Sequence, residues 1–169
     1  MSRVYGIDMN RIGDNLICTG SNEEIVKAFS AFNVEFILVG GLAVSWYCSS
    51  RKANDMDVLV NPTKENSEKI TNALGSLGLN GFASNSFAKP GVQAPIKKIY
   101  YCDIITPARS GLTFEDLMRG SVMGKLFNIP VHIPSVENLI KMKESVAAST
   151  EKELNKHQQD IVLLRKHAE

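Results

Sequence analysis

Asp55 and Asp57 stand two residues apart at the start of the apolar run Met56–Val60. Side chains alternate faces along a strand, so residues i and i+2 point the same way and set two carboxylates side by side. Two such anions repel, and one is driven to hold its proton unless a cation neutralises the pair. Mg²⁺ or Mn²⁺ suits them, because Mg²⁺ takes hard oxygen ligands and keeps waters and substrate phosphates in its other positions. Asp103 lies in a second apolar run, Ile99 to Ile105, where an unpaired charge is costly. With that run beside Met56–Val60, three carboxylates meet in a cup for two metal ions, an arrangement that stabilises both the attacking and the leaving oxygen in phosphoryl chemistry. The same residues also fit plainer roles: Asp55 in a turn, Asp57 paired with Arg51, Asp103 on an exposed strand face. No loop glycine or twelfth-position Glu follows, so an EF-hand is excluded.

A phosphate ligand needs donors as well as a metal. The run Phe36-Ile37-Leu38-Val39 ends in Gly40-Gly41 before Leu42. A strand closing in two glycines ahead of a helix lets a phosphate approach the backbone, with free N–H groups aimed at it. The stretch is neither a Walker A loop nor a dinucleotide GxGxxG, and a tight strand-to-helix turn would look the same.

The elements that must position these residues follow from periodicity and punctuation. Residues 1–20 have no clear period and read as an N-terminal extension. Ser21 and Glu24 form a capping box before Ile25, Phe29 and Phe32 on one helix face. Phe36–Val39 and Met56–Val60 read as buried strands, with a helix from Leu42 to Tyr47 between them. Asn61-Pro62 reads as an N-cap and N1 pair for a helix running to about Leu77. Residues 78–96, rich in Gly, Pro, Ser and Asn, read as a loop with a weak hairpin. Lys98–Thr106 is strongly β-forming, and Thr113 with Asp116 caps a helix ending at Gly120. Phe127–Ile133 reads as one short strand placed at an edge by Pro130. Helices over Val136–Ala148 and Glu151–His167 complete an α/β (α+β) fold: a small mixed sheet flanked by helices, with a helical C-terminal part. The divisions are an extension over 1–20, a core over 21–134 and a helical segment over 135–169 packed on the same domain.

The 169 residues suit one domain, on a prior of roughly 150 residues each. Hydrophobic residues make up 44% and charged residues 22%, which excludes a disordered or collagen-like chain. Nineteen Lys and Arg against 18 Asp and Glu give a net charge of +1, so no global basic field points to nucleic acid. Locally, no acid occurs from Ile70 to Cys102, while Lys89, Lys97 and Lys98 are basic, a pattern suited to steering an RNA acceptor or to a plain solvated loop. The cysteines Cys18, Cys48 and Cys102 are far apart and odd in number, which suits free thiols in a reducing cytosol. No signal peptide or membrane-spanning run is evident, and a cytoplasmic protein is expected.

Together, the glycine turn and the three aspartates resemble the DNA polymerase β-like nucleotidyltransferase superfamily. Its pattern is a strand, a Gly-Gly or Gly-Ser turn, a helix, a strand bearing Asp-x-Asp and a later strand bearing a third Asp. The likeness is nearest to the minimal nucleotidyltransferases grouped with abortive-infection toxins. Their Gly-Gly-x-Ala turn is Gly40-Gly41-Leu42-Ala43 here, and their Arg before Asp-x-Asp is Arg51. Their Ser-x-Glu-x-Leu-Ile-x-x-Lys helix matches Ser135 through Lys143. Two departures are Ala53-Asn54 where the family has Thr, and Lys156-His157 where it has Lys-Asp before the final Asp, here Asp160. The resemblance implies an enzyme that moves an NMP from an NTP to a hydroxyl on RNA, a protein or a small molecule. It implies Asp55, Asp57 and Asp103 as metal ligands and catalytic residues, with Asp103 taking the acceptor's proton. Gly40, Gly41, Arg51 and Lys143 would bind nucleotide, and Mg²⁺ or Mn²⁺ would be the cofactor. A non-catalytic nucleotide binder or toxin–antitoxin regulator with the same fold is the alternative, with a toxin–antitoxin protein as partner.

Overall fold

The computed structural model describes residues 9–18, 20, 22–96, 100–145 and 150–168. In chain order the elements are β1 (Arg11–Ile12), β2 (Asn15–Leu16), α1 (Asn22–Ala31), β3 (Phe36–Val39), α2 (Gly40–Tyr47), β4 (Met56–Val60) and α3 (Lys64–Ser76). They continue with β5 (Gln93–Ile96), β6 (Cys102–Ile105), α4 (Phe114–Met118), β7 (Val122–Leu126), β8 (Ile129–Ile133), α5 (Val136–Ser145) and α6 (Glu151–Ala168). All eight strands join one mixed sheet in the order β1-β2-β7-β8-β3-β4-β6-β5. The central strands are antiparallel for β3–β4 and parallel for β4–β6, and β5–β6 is an antiparallel edge. Among the described residues no helix is long and apolar enough to cross a membrane.

The alternation along β4 splits the core between the two faces of this sheet. Met56, Val58 and Val60 pack with Leu38, Cys102 and Ile104 under Ile25 and Phe29 of α1 and Ile70 and Leu74 of α3. Leu59 turns the other way and joins Ile37, Val39, Phe114 and Leu117, with Met142 of α5 against them. Asp57 shares the second face and stands beyond the end of that smaller apolar cluster.

Several sequence expectations change. The described part of 1–20 is no loose extension: β1 and β2 lengthen the sheet beside β7, and Arg11 lies 3.8 Å over the Trp46 ring. The N-cap of α3 is Thr63, whose side chain accepts from the Asn66 N–H, rather than Asn61. Asn61 instead offers its carbonyl to the buried Asn66 amide. Phe127 does not belong to a strand. Phe127 and Asn128 form the two-residue turn of a β7–β8 hairpin, both at positive φ, 51° and 65°. Pro130 is interior, because β8 lies between β7 and β3. It is tolerated because Lys125↔Pro130 is the pair next to the turn-closing one, where no ladder bond is made, and β3 meets β8 at Ile37↔His132. The capping box of Thr113 and Asp116 forms as expected. Ser21 lies outside the described residues, as do 98–99 of the Lys98–Thr106 run and 146–148 at the end of the Val136–Ala148 helix.

Candidate active site

The site is built at the C-terminal end of β3. Gly40 has φ +71°, a conformation L side chains rarely adopt, and it opens α2 with no side-chain cap on that helix. A Cβ on Gly40 would fall 2.1 Å from Asp57 Oδ2, so the carboxylate lies directly on the glycine turn. A Cβ on Gly41 would fall 2.5 Å from Arg51 Nη2. The two glycines thus make room for different neighbours, one an anion and one a cation.

Asp57 pairs across the sheet with Val39 on one side and with Asp103 on the other. Paired residues on adjacent strands project to the same face, so Asp57 and Asp103 are neighbours, both half-buried. Asp55 precedes β4 and is exposed. Two asparagines fix the backbone on either side of these carboxylates. Asn10 donates to the Ala53 carbonyl at 2.8 Å and accepts from the Ala53 N–H at 2.9 Å. Asn22 accepts from the Tyr101 N–H at 2.8 Å and donates to its carbonyl at 3.1 Å. Neither asparagine stands in an amphipathic pattern, and nothing in their spacing marks them beforehand.

Asp57 borders two openings. A cleft of about 420 Å³ is lined by Gly40, Asp57, Gln93, Lys143, Glu153 and His157, with Val39, Ile105, Leu139 and Met142 as its apolar wall. A smaller hollow of about 170 Å³ is lined by Gly41, Arg51, Asp55, Asp57 and Lys156. The structure thus gathers Asp55, Asp57, Gly40, Gly41, Arg51 and Lys143 around one carboxylate. Asp103 is joined to them by strand register but lines neither opening.

Arg51 and Lys143 converge on one anion. Arg51 Nε donates to Asp160 Oδ1 at 2.6 Å, and Lys143 Nζ lies 3.1 Å from Asp160 Oδ2. The Asp160 side chain is 1% exposed, with Arg51 at 13% and Lys143 at 9%. Burial would raise the Asp160 carboxyl, but the Arg51 hydrogen bond and the two positive charges outweigh it and hold it below the usual carboxylate range. Burial pushes the His157 imidazole below its ordinary value, and the Lys143 charge adds to this.

Half-buried Asp57 and Asp103, with Asp55 beside them, supply the hard oxygen donors that Mg²⁺ or Mn²⁺ prefers. Among the described residues, which include Asp55, Asp57 and Asp103, no three His, Cys, Asp or Glu side chains gather as a group that could hold a metal ion.

Neither a protein-family model nor a curated protein matches the sequence. Solved structures do match in shape. An antigenic nucleotidyltransferase-like protein from Paracoccidioides brasiliensis superposes with a TM-score of 0.53 at 15% identity, over 86% of this chain and 76% of that one. The aminoglycoside nucleotidyltransferase ANT(2")-Ia, in complex with adenylyl-2"-tobramycin, gives 0.52 at 16% identity over 87% of each. The mixed sheet and its flanking helices are accordingly an instance of the nucleotidyltransferase fold.

Proposed function

We propose that this chain is a Mg²⁺- or Mn²⁺-dependent nucleotidyltransferase that moves a nucleoside monophosphate from an NTP to an acceptor hydroxyl. The observation that carries the reading is the Asp57 carboxylate lying on the positive-φ Gly40 turn with Asp103 in register beside it. Asp55 and Asp57 would hold the ions, and Asp103 would complete the set. When bound, the ions neutralise charge on the triphosphate and on the oxygens gained and lost at the α-phosphorus. The backbone N–H groups at Gly40 and Gly41 hold phosphate oxygens at the uncapped start of α2. Asp103 accepts the acceptor's proton as its oxygen bonds the α-phosphorus, the α–β bridging bond breaks and pyrophosphate leaves. Lys143, in the wall of the cleft, faces the phosphates.

The acceptor is a hydroxyl on RNA, a protein or a small molecule. The adenylyl-2"-tobramycin held by ANT(2")-Ia supports the small molecule. The RNA alternative rests on Lys89, Lys97 and Lys98, of which the last two lie outside the described residues. A specific observation favours a second reading, a non-catalytic nucleotide-binding protein with the same fold: both cations assigned to phosphate already pair with Asp160. Incubation with Mg²⁺, each labelled NTP, and RNA, protein or small-molecule acceptors separates the two. Transfer by the wild type and none by Asp57→Asn supports the enzyme. NTP binding with no transfer supports the binder, and binding of neither metal nor nucleotide removes both.

A further inference from the structure

Asp57 stands between two openings of different character. The cleft of about 420 Å³ has an apolar wall and falls within the roughly 300–1,000 Å³ range of small-molecule pockets, large enough for a nucleoside. The hollow of about 170 Å³ falls below that range, and apart from Ala53 its side chains are charged or amide. Three of them are cations: Arg51, Lys52 and Lys156. Arg51 is held by Asp160, whereas Lys52 and Lys156 are exposed and form no ion pair among the described residues. Lys156 and Asp160 are one turn apart on α6 and share a helix face. The bond from Asp160 to Arg51, whose guanidinium lies beside Gly41, therefore fixes Lys156 at the hollow. An exposed ammonium beside the uncapped start of α2 suits a phosphate oxygen. Asp55 and Asp57 face the same space, so a phosphate enters it with its own Mg²⁺ to shield those carboxylates.

We infer that Lys156 contacts the terminal phosphates: its ammonium pairs with β- or γ-phosphate oxygens of an NTP whose tail lies in the hollow and whose nucleoside lies in the cleft. The assignment rests on the nucleotidyltransferase reading and adds to it an orientation of the substrate and a residue on the C-terminal helix. Lys143 lines the cleft and not the hollow, so the two lysines meet different parts of the nucleotide. As the acceptor oxygen bonds the α-phosphorus, the α–β bridging bond breaks and its electron pair leaves with pyrophosphate. Lys156 offsets the charge gained there. A contact confined to the leaving pyrophosphate separates an NTP from the NMP that carries the same base.

Calorimetric titration with Mg²⁺ plus ATP, GTP, CTP or UTP, the matching NMP, or inorganic pyrophosphate tests it on wild type and three variants. Lys156→Ala should weaken both the preferred NTP and pyrophosphate by about tenfold, the scale of one hydrogen bond to a charged group, and leave the NMP unchanged. Lys156→Arg keeps a cation that pairs with phosphate and should stay within about threefold of wild type. Lys166→Ala removes the same charge from the last turn of α6 and should leave all three ligands unchanged. Because Lys156 is exposed, its alanine variant should melt at the wild-type temperature. Unchanged pyrophosphate binding by Lys156→Ala, equal weakening of the NMP, or an equal effect of Lys166→Ala overturns the assignment and leaves the nucleotidyltransferase reading standing. Absence of NTP binding by wild type overturns both.

Discussion

Gly40 is the residue at which conformation and chemistry coincide. Its φ of +71° already disfavours a side chain, at roughly 1 kcal/mol for any L residue. A Cβ there would also displace Asp57, whose Oδ2 occupies the same space. Gly40→Ala is therefore expected to abolish Mg²⁺-dependent transfer, with a loss of at least about a hundredfold on the scale of a misplaced catalytic group. The melting temperature should fall by only a few degrees. Assay and thermal melting on the same preparation check this, and full activity with a lowered melting temperature would detach the turn from the chemistry. A second residue-scale expectation concerns Cys18. Burial pushes its thiol up to about 11; the Asn22 hydrogen bond pulls it down, and the charge of Asp55 raises it again. At pH 8 Cys18 should resist alkylation while half-buried Cys48 reacts first, as read by mass spectrometry of the native protein. Asp55→Asn should move the Cys18 titration midpoint downward, a report on the position of Asp55 that needs neither metal nor substrate.

At the scale of elements, the β3 and β4 strands are placed by their neighbours, some of which the sequence conceals. Asn10, in a stretch without period, satisfies both backbone groups of Ala53 just ahead of Asp55. Asn10→Ala would leave those buried groups unpaired. It should destabilise the fold by about 2 kcal/mol in urea denaturation, from roughly 1–3 kcal/mol per buried unsatisfied group. The strands that carry the aspartates were legible because β-branched and apolar runs bounded by turn residues leave few alternatives, and the expected adjacency of Met56–Val60 and the Asp103 strand is the observed β4–β6 pairing. The β7–β8 hairpin was not legible. A two-residue turn with both φ values positive is ordinarily announced by Asn-Gly or Gly-Gly, and here it is Phe127-Asn128. Packing compensates, since Phe127 lies against the main core. Asn128→Ala, which removes the residue type tolerant of that conformation, should cost about 1 kcal/mol and lower the melting temperature by about 2–4 °C. Strands β1 and β2, two residues each, carry no readable period at all.

Over the whole molecule, Asp160 joins the C-terminal helices to the Arg51 segment ahead of β4. Within α6 the buried residues are Asp160 and Leu164, and the helix also meets α5 through the Arg165–Glu144 pair at 2.7 Å and α2 through the Tyr47 and His167 rings, 5.4 Å apart. Asp160 answers Arg51, which lies under the Gly41 turn, and Lys143, which lines the cleft; the position of α6 and the shape of the site therefore depend on the same ion cluster. Removing the anion leaves two cations facing one another out of water. Asp160→Asn should therefore destabilise by about 3–5 kcal/mol, the cost of breaking a buried pair by deleting one partner. Adding Lys143→Met should recover part of that loss. The acid limb gives an independent check. The folded carboxyl titrates below its unfolded value, so its stabilising contribution is complete above the unfolded carboxylate value, about 3.9, and fades as pH falls through the lower folded one. Urea midpoints measured from pH 6 down to pH 2.5 should drop more steeply for wild type than for Asp160→Asn, and the two curves should converge at the acid end. Parallel curves over that window would mean that the cluster contributes no net stability and that α6 is held by its remaining contacts.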